Sequence, residues 1–160
     1  MMRDAPARRL SKKALPVWRI AGFFESLFYL IIPIGYGILT ILFNWPLWIL
    51  YVLILLWVGV TLLQSLLVPT IRWRRWRYEV YDEEIDLQYG VFIIRRTLIP
   101  MIRVQHVDTE QGPIYRHYNL AAVSISTAAT VHQIPALTEE VASELRDQIA
   151  VLAQTADDDD

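Results

Sequence analysis

From Ser26 to Ile71 the chain carries no charged side chain, and arginines begin at once beyond it, at Arg72, Arg74, Arg75 and Arg77. A run that long is roughly twice the ~20 apolar residues needed to cross a bilayer once. Its one internal turn signal is Phe43-Asn44-Trp45-Pro46, so the run reads as two helices, one out and one back. Read as buried helices of a soluble protein, the segments would need a polar second face, and they have none. A cleaved signal peptide fits no better, because its apolar core is shorter and no second span follows it directly.

As helices, residues 26–43 would be about 27 Å long and residues 47–68 about 33 Å, both suited to a hydrocarbon core of ~30 Å. Trp45 and Trp48 mark one interface, and Trp18, Trp73 and Trp76 the other. Basic residues flank both outer ends (Arg3, Arg8, Arg9, Lys12, Lys13 and Arg19 against Asp4 before, the four arginines after) and are absent from the turn. The positive-inside rule then places both termini in the cytoplasm and the protein in the inner membrane. Glu25 stands about one turn from the interface and reads as a snorkelling carboxylate paired with Arg19. Pro33, Gly35 and Gly37 are candidates for a kink or close helix contact, and Gln64 for a hydrogen bond across the pair.

Beyond Arg72 the apolar period changes to two. Trp76, Tyr78 and Val80 alternate with charged residues, and Ile85, Leu87 and Tyr89 with Glu84, Asp86 and Gln88, with Asp82-Glu83 as the turn between two strands and Gly90 closing the second. Phe92-Ile93-Ile94 and Thr97-Leu98-Ile99 read as a third strand broken by Arg95-Arg96. Residues 101–107 read as a fourth, whose parity slips between Val104 and Val107 as at a bulge. Gln111-Gly112-Pro113 is a turn, residues 122–127 a strand, and residues 131–134 a short one. The period then becomes helical: Thr138 is placed to cap a helix with Glu139 and Glu140 in its first turn, and Val141, Leu145, Ile149 and Leu152 form its apolar stripe. Several antiparallel strands and one amphipathic helix make a small α+β domain. The acids of residues 155–160 read as a disordered tail.

The residues Arg77-Tyr78-Glu79-Val80-Tyr81-Asp82-Glu83-Glu84-Ile85 and Ile99-Pro100-Met101-Ile102-Arg103-Val104-Gln105-His106-Val107-Asp108 carry a resemblance. So do Gln111-Gly112-Pro113-Ile114-Tyr115-Arg116 and the Asn119-Leu120-Ala121 and Val123-Ser124-Ile125-Ser126-Thr127-Ala128 segments. With the double span before them, they resemble the bacterial membrane-anchored pleckstrin-homology-like (PH-like) proteins, the YdbS-like, bacterial PH type 2 family, over residues 20–153. The resemblance implies a PH-like β-sandwich capped by the C-terminal helix, and little about biochemistry. Family members often have Gly where this chain has Asn119 and Ala129; Asn tolerates the left-handed conformation.

No catalytic constellation stands out. The chain has no cysteine, which excludes disulfides, thiol catalysis and Cys-ligated metals. Its histidines, His106, His117 and His132, lack metal-ligand spacing. Ser124 and Ser126 lack a nucleophile elbow and read as surface serines, and Asp82, Glu83, Glu84 and Asp86 read as acids of a turn and a solvated face. The reading is a non-enzyme without cofactor, metal or nucleic-acid partner, since the arginines sit against the bilayer and the rest of the domain is acidic. Two carboxylate-poor spans also offer too few groups for a transport pathway.

Two surfaces remain. Arg72, Arg74, Arg75 and Arg77, with Arg95 and Arg96, are candidate contacts for anionic lipid headgroups, although a topology-setting anchor explains the first four as well. Arg103, Gln105, Asp108, Gln111 and Arg116 are the polar residues of the family-like motif. They are candidates for a partner surface, or for a structural role in which Arg103 or Arg116 pairs with Asp108 and Gln111-Gly112-Pro113 fixes the turn. The expected organisation is a basic N-terminus (1–19), a transmembrane hairpin (20–69), a PH-like cytoplasmic domain (70–154) and the acidic tail (155–160). The expected role is presentation of the domain at the membrane surface to a membrane protein partner or a second copy, with headgroup binding as the alternative.

Overall fold

The computed structural model describes residues 5–158; Arg3, Asp4, Asp159 and Asp160 of the charge pattern lie outside them. Two compact units form, residues 15–71 and a domain that joins the segment ending at Ala14 to the chain from Arg72 onward.

The first unit is a helical hairpin. Helices α1 (Ala14–Tyr29) and α2 (Ile31–Phe43) make one apolar rod interrupted at Leu30. A second rod runs through α3 (Leu47–Leu62), a π turn (Leu63–Leu67) and α4 (Val68–Arg75). Each rod is long and apolar enough to cross a membrane. Pro33 explains the interruption: it has no N–H to give the carbonyl four residues back, and the Leu30 N–H bonds Leu27 O at 3.2 Å instead. The reversal falls where Asn44 takes a left-handed φ of 51°, and the Tyr36 hydroxyl donates to Pro46 O across it at 3.1 Å.

Among the hairpin's glycines, Gly22 lies tightest against the opposite rod. A Cβ there would lie 2.5 Å from the Gln64 carbonyl, whereas Gly35 has nothing within 4 Å. Trp57 Nε1 donates to Ser26 O at 2.9 Å and Ser65 Oγ to Arg19 O at 3.2 Å, so indole and hydroxyl groups cross-link the rods through backbone carbonyls. Gln64 does not fill its expected role with its side-chain oxygen, which is buried without a partner. Nor do Arg19 and Glu25 form an ion pair among the described residues. Six residues apart on one helix, they sit on different faces, unlike positions three or four apart.

The domain is built on two antiparallel sheets. One has the order β1 (Arg8–Arg9), β2 (Arg77–Val80), β3 (Glu84–Tyr89), β4 (Arg95–Pro100); the other has β5 (Val104–Glu110), β6 (Leu120–Thr127), β7 (Val131–Thr138). A short helix, α5 (Pro113–His117), follows the Gln111-Gly112 turn, and α6 (Glu139–Asp158) closes the chain. Tyr78, Ile85, Leu87 and Ile99 from the first sheet, and Leu120, Val123, Ile125, Ile134 and Leu137 from the second, are buried together with Ala142, Leu145 and Ile149 of α6. Burying each Leu or Ile contributes roughly 1.5–3 kcal/mol. The fold is α+β: among the described residues, an apolar helix pair, seven antiparallel strands in two sheets and a closing amphipathic helix.

Several elements differ from the sequence reading. Strand β1 lies before the hairpin and pairs with β2 after it, Arg8 opposite Tyr78 and Arg9 opposite Arg77; two arginines in a basic flank carry no strand period. The third strand begins at Arg95, and Phe92-Ile93-Ile94 lie outside it in the β3–β4 loop. Met101–Arg103 is a turn of 3₁₀ helix rather than strand. β7 extends four residues past Ile134. Helix α6 continues through residues 155–158, where an unstructured tail was expected; the Thr155 hydroxyl bonds back to Val151 O at 2.9 Å. The parity slip after Val104 is a register shift against β6, and Asn119 takes a left-handed φ of 53°.

Candidate functional site

The two arginine groups have different fates. Arg72 and Arg74 are exposed on the last turn of α4, and Arg75 and Arg77 are half-buried. Arg75 Nη1 donates to Val91 O, which ties the β3–β4 loop to the end of α4. Arg77 Nη1 reaches Pro6 O at 3.5 Å, and Ala7 N donates to Glu79 Oε2 at 3.1 Å, so the basic N-terminal segment is stitched to β2. Burial pushes the pKa of the Tyr78 hydroxyl above its usual value, and Arg8 opposite it in β1 pulls the other way.

Arg95 and Arg96 point to opposite faces of β4, as neighbours on a strand must. Arg95 is exposed. Arg96 grips Asp86, with Nε 3.1 and 3.0 Å from the two carboxylate oxygens and Nη2 2.6 Å from Oδ2. Asp86 is therefore not an acid of a solvated face: its side chain is 0% exposed, against 30% for Arg96. Burial of Ile85, Asp86 and Leu87 in succession shows that β3 is covered on both faces. Arg96 reaches Asp86 along the cross-strand diagonal, since Asp86 faces Leu98 and Gln88 faces Arg96.

Ser124 is likewise no surface serine. It is buried in the central strand β6 and donates to Glu110 Oε1 at 2.8 Å, while Gln133 Nε2 donates to Glu110 Oε2 at 3.0 Å. These three residues form a polar ladder across the second sheet.

The motif residues separate. Arg103 and Gln105 line a 450 Å³ groove with Leu98, Ile99, Pro100 and Ile102 on one side and the β6–β7 turn, residues 127–130, and His132 on the other. The turn is held by Thr127, whose N–H and hydroxyl both donate to Thr130 O, at 2.9 and 2.8 Å. Gln111 lies elsewhere, its Nε2 donating to Leu120 O at 3.0 Å and securing the start of α5 against β6. Asp108 and Arg116 are exposed, and neither Arg103 nor Arg116 reaches Asp108 among the described residues. The groove runs beside two sheet margins, since β4 ends the first sheet and β5 the second. Leu98 and Ile102 on its wall are 50% and 48% exposed. It can take an extended chain with apolar side chains, or a small apolar body, and it shows no catalytic arrangement.

A family model described as Bacterial PH domain matches residues 20–153. The chain belongs to that family. Its hairpin and PH domain together are 48% identical over 158 residues to the UPF0699 transmembrane protein YdbS of Bacillus subtilis (strain 168), covering 99% of both chains. The UPF0699 transmembrane protein YdbT of the same organism is 25% identical over 91 residues, which make up 57% of this chain and 18% of that protein. No solved structure matches. The chain is thus a membrane-associated bacterial PH-domain protein whose PH fold carries an open groove and an arginine-rich helix end.

Proposed function

We propose that this protein is a non-catalytic membrane anchor whose PH domain, on the cytoplasmic face of the inner membrane, holds a protein partner in the groove beside β4. One observation carries the reading: the groove joins exposed apolar residues, Leu98 and Ile102, to the margins of two sheets, where β4 and β5 have no further neighbouring strand among the described residues. Such an edge accepts an added strand, with main-chain hydrogen bonds giving affinity and side-chain pockets giving specificity. Arg103 and His132 on the rim favour a segment carrying acidic residues. The occurrence of similar sequence in two proteins of one organism, one about as long as this chain and one much longer, supports a membrane partner bearing a related domain. Pairing of β1 with β2 supports the topology, because one domain built from both ends of the hairpin needs both ends on one side.

A photo-crosslinking residue at Ile102 of the full chain in its native membrane tests this. The expected product is a discrete adduct that mass spectrometry maps to one segment of a membrane protein, and that Leu98→Asp abolishes. Adducts to lipid alone would sink the reading. Headgroup binding is a second reading, favoured by exposed Arg74 and Arg95; Arg96 contributes to it little, being held by Asp86.

A further inference from the structure

The loop between β3 and β4 presents large apolar side chains to solvent: Phe92 is 90% exposed, Ile93 74% and Ile94 54%. A folded domain rarely leaves three such residues together at a tip unless something covers them. The loop is not a loose connection. Gly90, at φ 133°, opens a turn so tight that a Cβ there would collide with Ile93 O. Arg75 then clamps the loop from the side by donating to Val91 O.

That clamp decides among the occupants. Arg75 is the last residue of α4, a helix that begins at Val68, inside the uncharged run that ends at Ile71. One helical turn separates the uncharged run from the residue that holds the tip. Basic residues stand at both ends of the apolar segment, Arg75 bonded to Val91 and Arg95 adjoining Ile94. An apolar wedge between basic residues suits the headgroup and acyl boundary of an anionic bilayer. We propose that Phe92, Ile93 and Ile94 form a lipid-inserting wedge that docks the PH domain onto the membrane in which its own hairpin is anchored. The wedge is separate from the groove, and crosslinking at Ile102 can fail while the wedge still meets lipid.

The absence of cysteine makes the test direct. Ile93→Cys and, as a control on the exposed side of α6, Gln148→Cys each give a single site for a polarity-sensitive fluorophore. The labelled full chain is reconstituted in vesicles of phosphatidylcholine and phosphatidylglycerol, with and without spin-labelled phosphatidylcholine. The expected result is blue-shifted emission from position 93 that the spin-labelled lipid quenches, and water-like, unquenched emission from position 148. In pure phosphatidylcholine the quenching at position 93 should weaken, since Arg75 and Arg95 lose their anionic counterpart. Water-like emission at position 93 would overturn the proposal. So would a blue shift that the lipid quencher leaves untouched, and if dilution of the protein in the vesicles then abolished that shift, a second copy would be the cover.

Discussion

The PH domain and the helical hairpin enclose polar groups by different means. In the domain, the buried Asp86 is held by the guanidinium of a residue on the adjacent strand. The hairpin instead turns several of its hydroxyls onto nearby carbonyls of the same helix: Ser26 onto Phe23 O, Thr40 onto Tyr36 O and Thr61 onto Trp57 O. Back-bonding of this kind satisfies a group without choosing a partner helix, whereas the Asp86–Arg96 pair forms in one strand register only. Side-chain chemistry therefore helps specify the domain. The hairpin is specified by shape at Gly22 and by a few donors such as Trp57.

The contrast is sharpest at Arg96. Arg96→Ala leaves the Asp86 carboxylate enclosed without its partner, which should cost the domain about 3–5 kcal/mol. Urea unfolding of the full chain in detergent, followed by tryptophan emission, measures it. Adding Asp86→Asn should recover part of the loss, because the remaining group is then neutral. A loss below about 1 kcal/mol, the scale of an ordinary hydrogen bond, would mean that water reaches Asp86 and that the two regions handle polar groups alike.

In the hairpin the corresponding break is steric. Gly22→Leu forces side-chain carbon against the Gln64 backbone, 2.5 Å from where its Cβ would stand. Forced overpacking of this sort should cost about 1–3 kcal/mol, read as weakened helix pairing by steric trapping in bicelles. Gly35→Leu has open space around it and serves as the neutral control. Equal effects at the two glycines would show that shape at the crossing does not specify the pair.

These same residues show what could be read from the sequence. The hairpin follows from an uncharged run with one turn signal, and the strands from period-two patterning. Even the bulge after Val104 follows from the slip in apolar parity, whereas the left-handed Asn119 is suggested only by the family resemblance, in which Gly often takes its place. What stayed hidden depends on register or phase. The Arg96–Asp86 grip needs the β3–β4 alignment, and the choice of Gly22 over Gly35 needs the rotation of two helices about each other. The groove draws its walls from residues 98–105 and 127–132, which only the fold brings together. The tip at residues 92–94 carries three apolar residues in a row, which look like a buried strand in sequence and are exposed in the fold. β1 is too short and too basic to carry a period at all.

The smallest effect tests whether donors add to shape in the hairpin. Trp57 Nε1 donates to Ser26 O at 2.9 Å, and Trp57→Phe removes that donor while keeping an aromatic ring. Hydrogen bonds between membrane helices contribute about 0.6 kcal/mol on average, so the same steric-trap measurement should show a loss of that order, well below that of Gly22→Leu. Combined with Gly22→Leu, the two losses should add if the indole and the glycine contact act separately. A combined loss no larger than that of Gly22→Leu alone would mean that the glycine contact is what brings the indole within reach of Ser26, and that shape alone sets the helix pair.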